Sequence, residues 1–101
     1  MELTVNQENS RAHFQVTGDI DEAGAEKLKS GFKALNIQSI KEVTIDFGKV
    51  NHIGSAGIGK LLVLYKDLAA AGGTIRIENL SADIYELFQV LKLDSLLTLS
   101  K

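Results

Sequence analysis

No cysteine occurs among the 101 residues, which removes disulfides, zinc–thiolate centres and thiol nucleophiles together. The two histidines, His13 and His52, are too few to build a metal site alone, and no metal or cofactor is expected. An excess of charge is missing too. Eleven basic and 13 acidic residues leave a net charge of -2, with no basic stripe of the kind nucleic acid requires, so the partners to expect are proteins or small molecules. The longest apolar-rich stretch, Ile58 to Ala71, is broken by Lys60, Lys66 and Asp67. It falls short of the roughly 20 residues that span a bilayer. The opening MELTVNQENS has no positive segment leading into an apolar core, so a secretory signal is not expected. A soluble, cytoplasmic chain without membrane insertion is the expectation. The 45% hydrophobic content, without repeats or low-complexity runs, suits one compact domain over residues 1–101.

The periodicities then order the chain. Leu3 and Val5, and Ala12, Phe14 and Val16, alternate with polar residues as half-buried strands do. The polar run Asn6 to Ser10 reads as the turn of an opening hairpin, and His13 faces solvent. Asp21 is placed to cap a helix carrying Ala25, Leu28, Phe32 and Leu35 at helical spacing. Lys27, Lys29 and Lys33 fall mostly on its solvated face. Val43 to Phe47 is a β-branched, apolar strand, parallel by virtue of the helix before it. A second helix is expected to begin at Gly57-Ile58-Gly59 and to end at Gly72-Gly73, where positive-φ residues are favoured. Its apolar arc is wide enough to meet more than the sheet. Thr74 to Glu78 is the next strand. Ser81 or Asp83 caps a third helix with Ile84, Leu87, Phe88 and Leu91 on one face. Periodicity leaves Ser95 to Leu99 open between strand and helix. The order β-β-α-β-α-β-α predicts an α/β domain whose mixed sheet is antiparallel at the hairpin and parallel elsewhere, with helices mainly on one face.

The stretch Val43 to Tyr65 carries the chemistry, because it runs from strand through Gly54-Ser55-Ala56-Gly57-Ile58-Gly59 into a helix. Three enzymatic patterns fail on spacing. A phosphate-binding loop needs a hydroxyl after Gly-Lys to ligate magnesium, and Gly59-Lys60 is followed by Leu61. The dinucleotide fingerprint needs glycines at positions one, three and six, whereas Gly54, Gly57 and Gly59 stand at one, four and six. A nucleophile elbow needs glycine two residues before the serine, where Ile53 stands. What remains is a serine at a helix start, with two readings open. Its oxygen is an N-cap worth about 1 kcal/mol, or it is a phosphoacceptor whose added charge meets the positive end of the helix dipole.

The run Ile45-Asp46-Phe47 with Val50, Ile53 and Ser55-Ala56-Gly57-Ile58-Gly59 resembles the signature of the STAS domain, in its anti-sigma factor antagonist group. Thr17-Gly18-Asp19-Ile20-Asp21, Ala71-Gly72-Gly73, and Leu87-Phe88 with Leu91 add to the resemblance, which covers nearly the whole chain. In that group the motif reads Asp-Ser-Ser/Thr-Gly-Leu-Gly. Gly54 here replaces the aspartate and Ala56 the second hydroxyl residue. The resemblance implies that Ser55 is the phosphoacceptor and that the chain performs no catalysis. It further implies that the dephosphorylated form binds an anti-sigma factor that is also a serine kinase of the histidine-kinase-like ATPase fold, and that a PP2C-type phosphatase resets the switch. Asp21, Gly54, Ser55, Ala56, Gly57 and Lys60 are the partner-binding candidates. The alternative is a constitutive STAS adaptor subunit of a lipid or anion transport complex, with a small-molecule sensor as a third possibility.

Overall fold

The computed structural model describes all residues from Met1 to Lys101. Strands β1 (Glu2–Glu8) and β2 (Arg11–Thr17) form the opening hairpin. Then come α1 (Glu22–Lys33), β3 (Glu42–Lys49), α2 (Ser55–Ala70), β4 (Thr74–Glu78), α3 (Ala82–Val90) and β5 (Thr98–Leu99). Short 3-10 turns at Ile37–Ser39 and Leu93–Ser95 lie between them. The hairpin turn is tighter than the polar run suggested. β1 continues to Glu8 because Asn6 pairs with His13 and Gln7 with Ala12, and Asn9 takes the turn at a φ of 56°. The open question over Ser95 to Leu99 resolves into both elements, a 3-10 turn followed by a two-residue strand.

The sheet order is β1-β2-β3-β4-β5, antiparallel only at the first pair. From β2 onward every crossover steps in the same direction, and right-handed crossovers taken that way deliver all helices to one face. Side-chain burial follows that rule. Val5, Phe14, Ile45, Ile77 and Leu99 lie in register across the five strands on the helix side. The adjacent row, Asn6, His13, Thr44, Arg76 and Thr98, forms part of the uncovered polar side. The expected one-faced mixed sheet is therefore the observed architecture.

Aromatic pairs fix the helices to this sheet. Phe14 of β2 meets Phe32 of α1 with ring centroids 5.1 Å apart, and Phe47 of β3 meets Phe88 of α3 at 6.2 Å, edge to face. No polar or charged side chain is buried, so the side chains of the interior are held by apolar packing. The helix ends obey local chemistry. Asp21 accepts a hydrogen bond from Gly24 N–H at 2.8 Å, and Ser81 accepts one from Ile84 N–H at 3.2 Å. At the end of α2, Gly72 (φ 82°) and Gly73 donate to the carbonyls of Ala69 and Leu68, the two bonds of a Schellman stop. Phe88 is fully enclosed whereas Val90 is 71% exposed. Phe88→Ala is accordingly expected to cost about 3–5 kcal/mol in urea unfolding, and Val90→Ala to stay within about 0.5 kcal/mol of the parent.

Candidate functional site

The parallel strands β2, β3 and β4 all end at the same edge, so the starts of α1, α2 and α3 gather there, and with them Asp21, Ser55 and Ser81. The connecting loops are stitched together by backbone hydrogen bonds. Gly18 N–H donates to Lys49 O at 2.9 Å, Ile20 N–H to His52 O at 2.9 Å, and Gly54 N–H to Ile20 O at 3.0 Å. The last two create an isolated parallel bridge between Ile20 and Ile53. Val50 and Ile53, the apolar residues expected to pin this loop, are buried, and so is Ile20. A second clasp ties β3 to the loop after β4. One Asp46 carboxylate oxygen accepts from Gly48 N–H at 2.7 Å and from the Asn79 side-chain amide at 3.2 Å.

Two local expectations are corrected at α2. The helix starts at Ser55, two residues before Gly57, and its N-cap is Gly54 in extended conformation (φ -90°, ψ 174°). The bridge to Ile20 holds Ile53 and Gly54 extended, which lets the chain turn into a helix at once. Ser55 therefore occupies the first helical position and is not the cap. No side chain caps this helix, unlike α1 and α3. The first helix carbonyl contact is Ile58 N–H to Gly54 O at 3.2 Å, which leaves the N–H groups of Ser55, Ala56 and Gly57 at the open end. Ser55 is exposed, as is Gly54, and Ala56 is half-buried.

The remaining candidates divide. Asp21 lies next to Ile20, whose backbone is bonded to both His52 and Gly54, so it borders the Ser55 turn. One of its oxygens caps α1 and the residue is exposed, leaving the other oxygen without a protein partner. Gly57 is buried. A Cβ there would lie 2.6 Å from Ile20 Cγ2 and 3.0 Å from Ile53 Cγ1, so Gly57 supports the turn from beneath. Lys60 is not brought to Ser55. At 100° per residue it stands about 140° around the helix, beside Glu26 of α1, with Nζ 4.0 Å from the carboxylate. The outward stripe from Ser55 instead runs through Gly59, Leu62, Val63 and Lys66, of which Val63 is 56% exposed. The roles of Ile20 and Val63 were not singled out from sequence. For Ile20 the signal was present, an isoleucine between Asp19 and Asp21 in an otherwise polar loop.

The STAS domain family model matches residues 2–101. The chain belongs to the STAS domain family. It is 26% identical over 98 residues to the anti-sigma-B factor antagonist of Bacillus subtilis strain 168, covering 97% of this chain and 89% of that protein. The phosphorylated form of the Bacillus cell fate determinant SpoIIAA has a similar structure, with a TM-score of 0.78 at 17% identity over 99% of this chain and 92% of that one. A sulfate transporter family protein from Wolinella succinogenes matches with a TM-score of 0.78 at 14% identity, over 90% and 76% of the two chains. At these identities the structural likenesses speak to the fold. No helix of the chain is long and apolar enough to cross a membrane.

With Gly54 identified as the N-cap, the aspartate of the STAS motif falls at a capping position, which this chain leaves without a side chain. A Cβ on Gly54 would meet only Ile20 O, at 3.8 Å. Gly54→Asp is expected to fit and to stabilise the domain by a few tenths of a kcal/mol, roughly the difference between these residues as caps. Gly57 and Gly59 offer a sharper contrast. The buried, β-branched Ile20 cannot easily yield to a methyl at Gly57, so Gly57→Ala should destabilise by about 1 kcal/mol or more. Nothing lies within 4 Å of a Cβ at Gly59. Gly59→Ala should therefore raise stability by about 0.5–1 kcal/mol. Urea denaturation of the three variants checks these signs.

Proposed function

We propose that this STAS domain is a partner-switching regulator of the anti-sigma factor antagonist kind, controlled by phosphorylation of Ser55. In this reading its partner is an anti-sigma factor that is also a serine kinase of the histidine-kinase-like ATPase fold. The binding surface is centred on Asp21 and the turn from Gly54 to Gly57, with Lys60 at its flank. Phosphorylation of Ser55 expels the partner, a PP2C-type phosphatase restores the free hydroxyl, and the chain itself is a substrate of both enzymes without catalysis of its own.

The observation that carries this reading is an exposed hydroxyl at the first position of a helix with no side-chain cap. A phosphate adds about -1.5 to -2 charges at neutral pH, and the helix start presents unpaired N–H groups and about half a positive charge. The helix start offers that anion favourable N–H groups, with the exposed Asp21 as the like charge nearby. A partner surface packed over the same turn would have to bury it, and an uncompensated buried charge is costly. Switching then needs no rearrangement of the domain. The relative named as an anti-sigma-B factor antagonist supports the class of partner. The solved phosphorylated form of SpoIIAA supports compatibility of this fold with the modification.

The test uses an ATPase-fold serine kinase of the proposed partner class. Incubation with that kinase and ATP should add one phosphate to the intact mass of the wild-type chain and none to Ser55→Ala. Ser55→Asp should weaken binding about tenfold or more, ~1.4 kcal/mol, while Ser55→Ala binds as the parent does. Equal binding by all three forms, with no mass shift, would support the constitutive adaptor instead.

A further inference from the structure

Strand β1 forms one edge of the sheet, and no other strand pairs with its outer side. Natural edges are commonly kept from further pairing by a bulge, a proline, an inward charge or a lysine on the strand. β1 has none of these over Glu2–Glu8, where the register with β2 is unbroken and the only charges are the glutamates at the two ends. Alternate residues bond to β2, so the others direct their N–H and C=O groups outward without a partner. The opposite edge, β5, is two residues long, so an extended pairing is possible at β1 alone. The side of α1 that overlooks this edge is built of small residues. Glu26 and Lys29 point the other way, toward α2, while Leu28 and Phe32 point down to the sheet. At 100° per residue that leaves Ala23, Lys27, Gly31 and Ala34 on the edge side. Lys27 is held there by the hydrogen bond that its Nζ donates to Met1 O at 2.8 Å. Gly31 marks a level along β1. A Cβ on it would lie 2.9 Å from Leu3 Cδ2 and 3.8 Å from Val5 Cγ2, which places Gly31 level with Thr4.

We propose that this edge is a homodimer interface, in which β1 of a second copy of the chain pairs antiparallel with β1 across a two-fold axis at Thr4. An axis perpendicular to the sheet makes one continuous sheet with its helices still on one face. Charge selects the register. Centred on Val5, the pairing would set Glu2 against Glu8 of the second copy twice, and like charges directly opposite are destabilising. Centred on Thr4, it sets Glu2 against Asn6, Leu3 against Val5, and Thr4 against itself. Val5, 40% exposed, and the half-buried Leu3 then cover each other on the helix side. The helices fit the same arrangement. Strands lie about 4.8 Å apart, and α1 rides over β1 and β2, with Gly31 on Leu3 and Phe32 on Phe14. Two such helices flanking the axis stand about 10 Å apart, a packing distance that small facing residues permit. They run antiparallel and come closest at Gly31. Lys27, four residues before Gly31, is therefore beside Ala34 of the other helix, its C-cap, where a cation meets the negative end of the dipole. The bond to Met1 O occupies one of the three ammonium donors and leaves two. Because α2 lies on the far side of α1, the Ser55 turn stays open in the dimer, and the inference does not rest on phosphorylation of Ser55.

Sedimentation equilibrium of the full chain, from about 1 μM to about 1 mM, should show the mass rising from one chain toward two. Thr4→Lys and Thr4→Glu, both at an exposed position, should each weaken self-association about tenfold or more, because each sets like charges opposite one another at the axis. An equimolar mixture of the two should restore association, since residue 4 faces itself only in this register, and the restored dimer also shows that both variants are folded. Val90→Lys, in the exposed apolar patch at the end of α3, should associate as the parent does. A chain that stays monomeric throughout, Thr4 variants that dimerise like the parent, a mixture that fails to associate, or dissociation by Val90→Lys would each overturn the proposal.

Discussion

Ile20 and Ile53 form one parallel bridge between two loops, and Gly57 of α2 closes onto both side chains from below. Loops at the ends of parallel strands are ordinarily the least constrained part of such a sheet. Here two backbone hydrogen bonds and two buried isoleucines turn a pair of them into an extension of the core. The same contact sets the extended conformation of Gly54, the starting residue of α2, and the nearness of Asp21 to Ser55. Any residue larger than glycine at position 57 would push the helix start away from the bridge. The candidate surface thus inherits its geometry from apolar packing and not from the polar residues that it displays.

That division of labour is what the proposed charge-based switch at Ser55 relies on. The interior contains no polar or charged side chain, so adding or removing a dianion at the exposed Ser55 leaves the core untouched. The energetic consequence falls on whatever covers the turn. Gly54 caps α2 without a side chain, so under the proposed switch the helix amides are free to meet a phosphate on Ser55.

Much of this was legible in the sequence, for reasons that differ by element. The period-2 strand β2, the Asp21 cap and the Gly72 stop are local signals, each with its own chemistry, and each appears where its residues stand; of the two cap candidates for α3, Ser81 and Asp83, the cap is Ser81. The start of α2 lies two residues before the expected Gly57, because the deciding contact, Ile20 with Ile53, joins residues far apart in the chain. Ser55 was accordingly assigned a possible cap role that Gly54 holds. Lys60 shows the same limit on the surface. Its spacing from Ser55 was visible, but only the packing of α1 against α2 turns it toward Glu26.

The most direct measurement is the comparison of backbone amide spectra for the unmodified chain and a chain carrying phosphoserine at position 55, introduced site-specifically. If the helix start receives the phosphate as described, the shift changes are confined to residues 54–58 and the adjoining 20–21. The Ser55 to Gly57 amides move most, and the sheet stays unaltered. Changes spread through β3 and β4, or loss of the folded spectrum, would contradict the view of Ser55 as a surface switch on an unmoving platform.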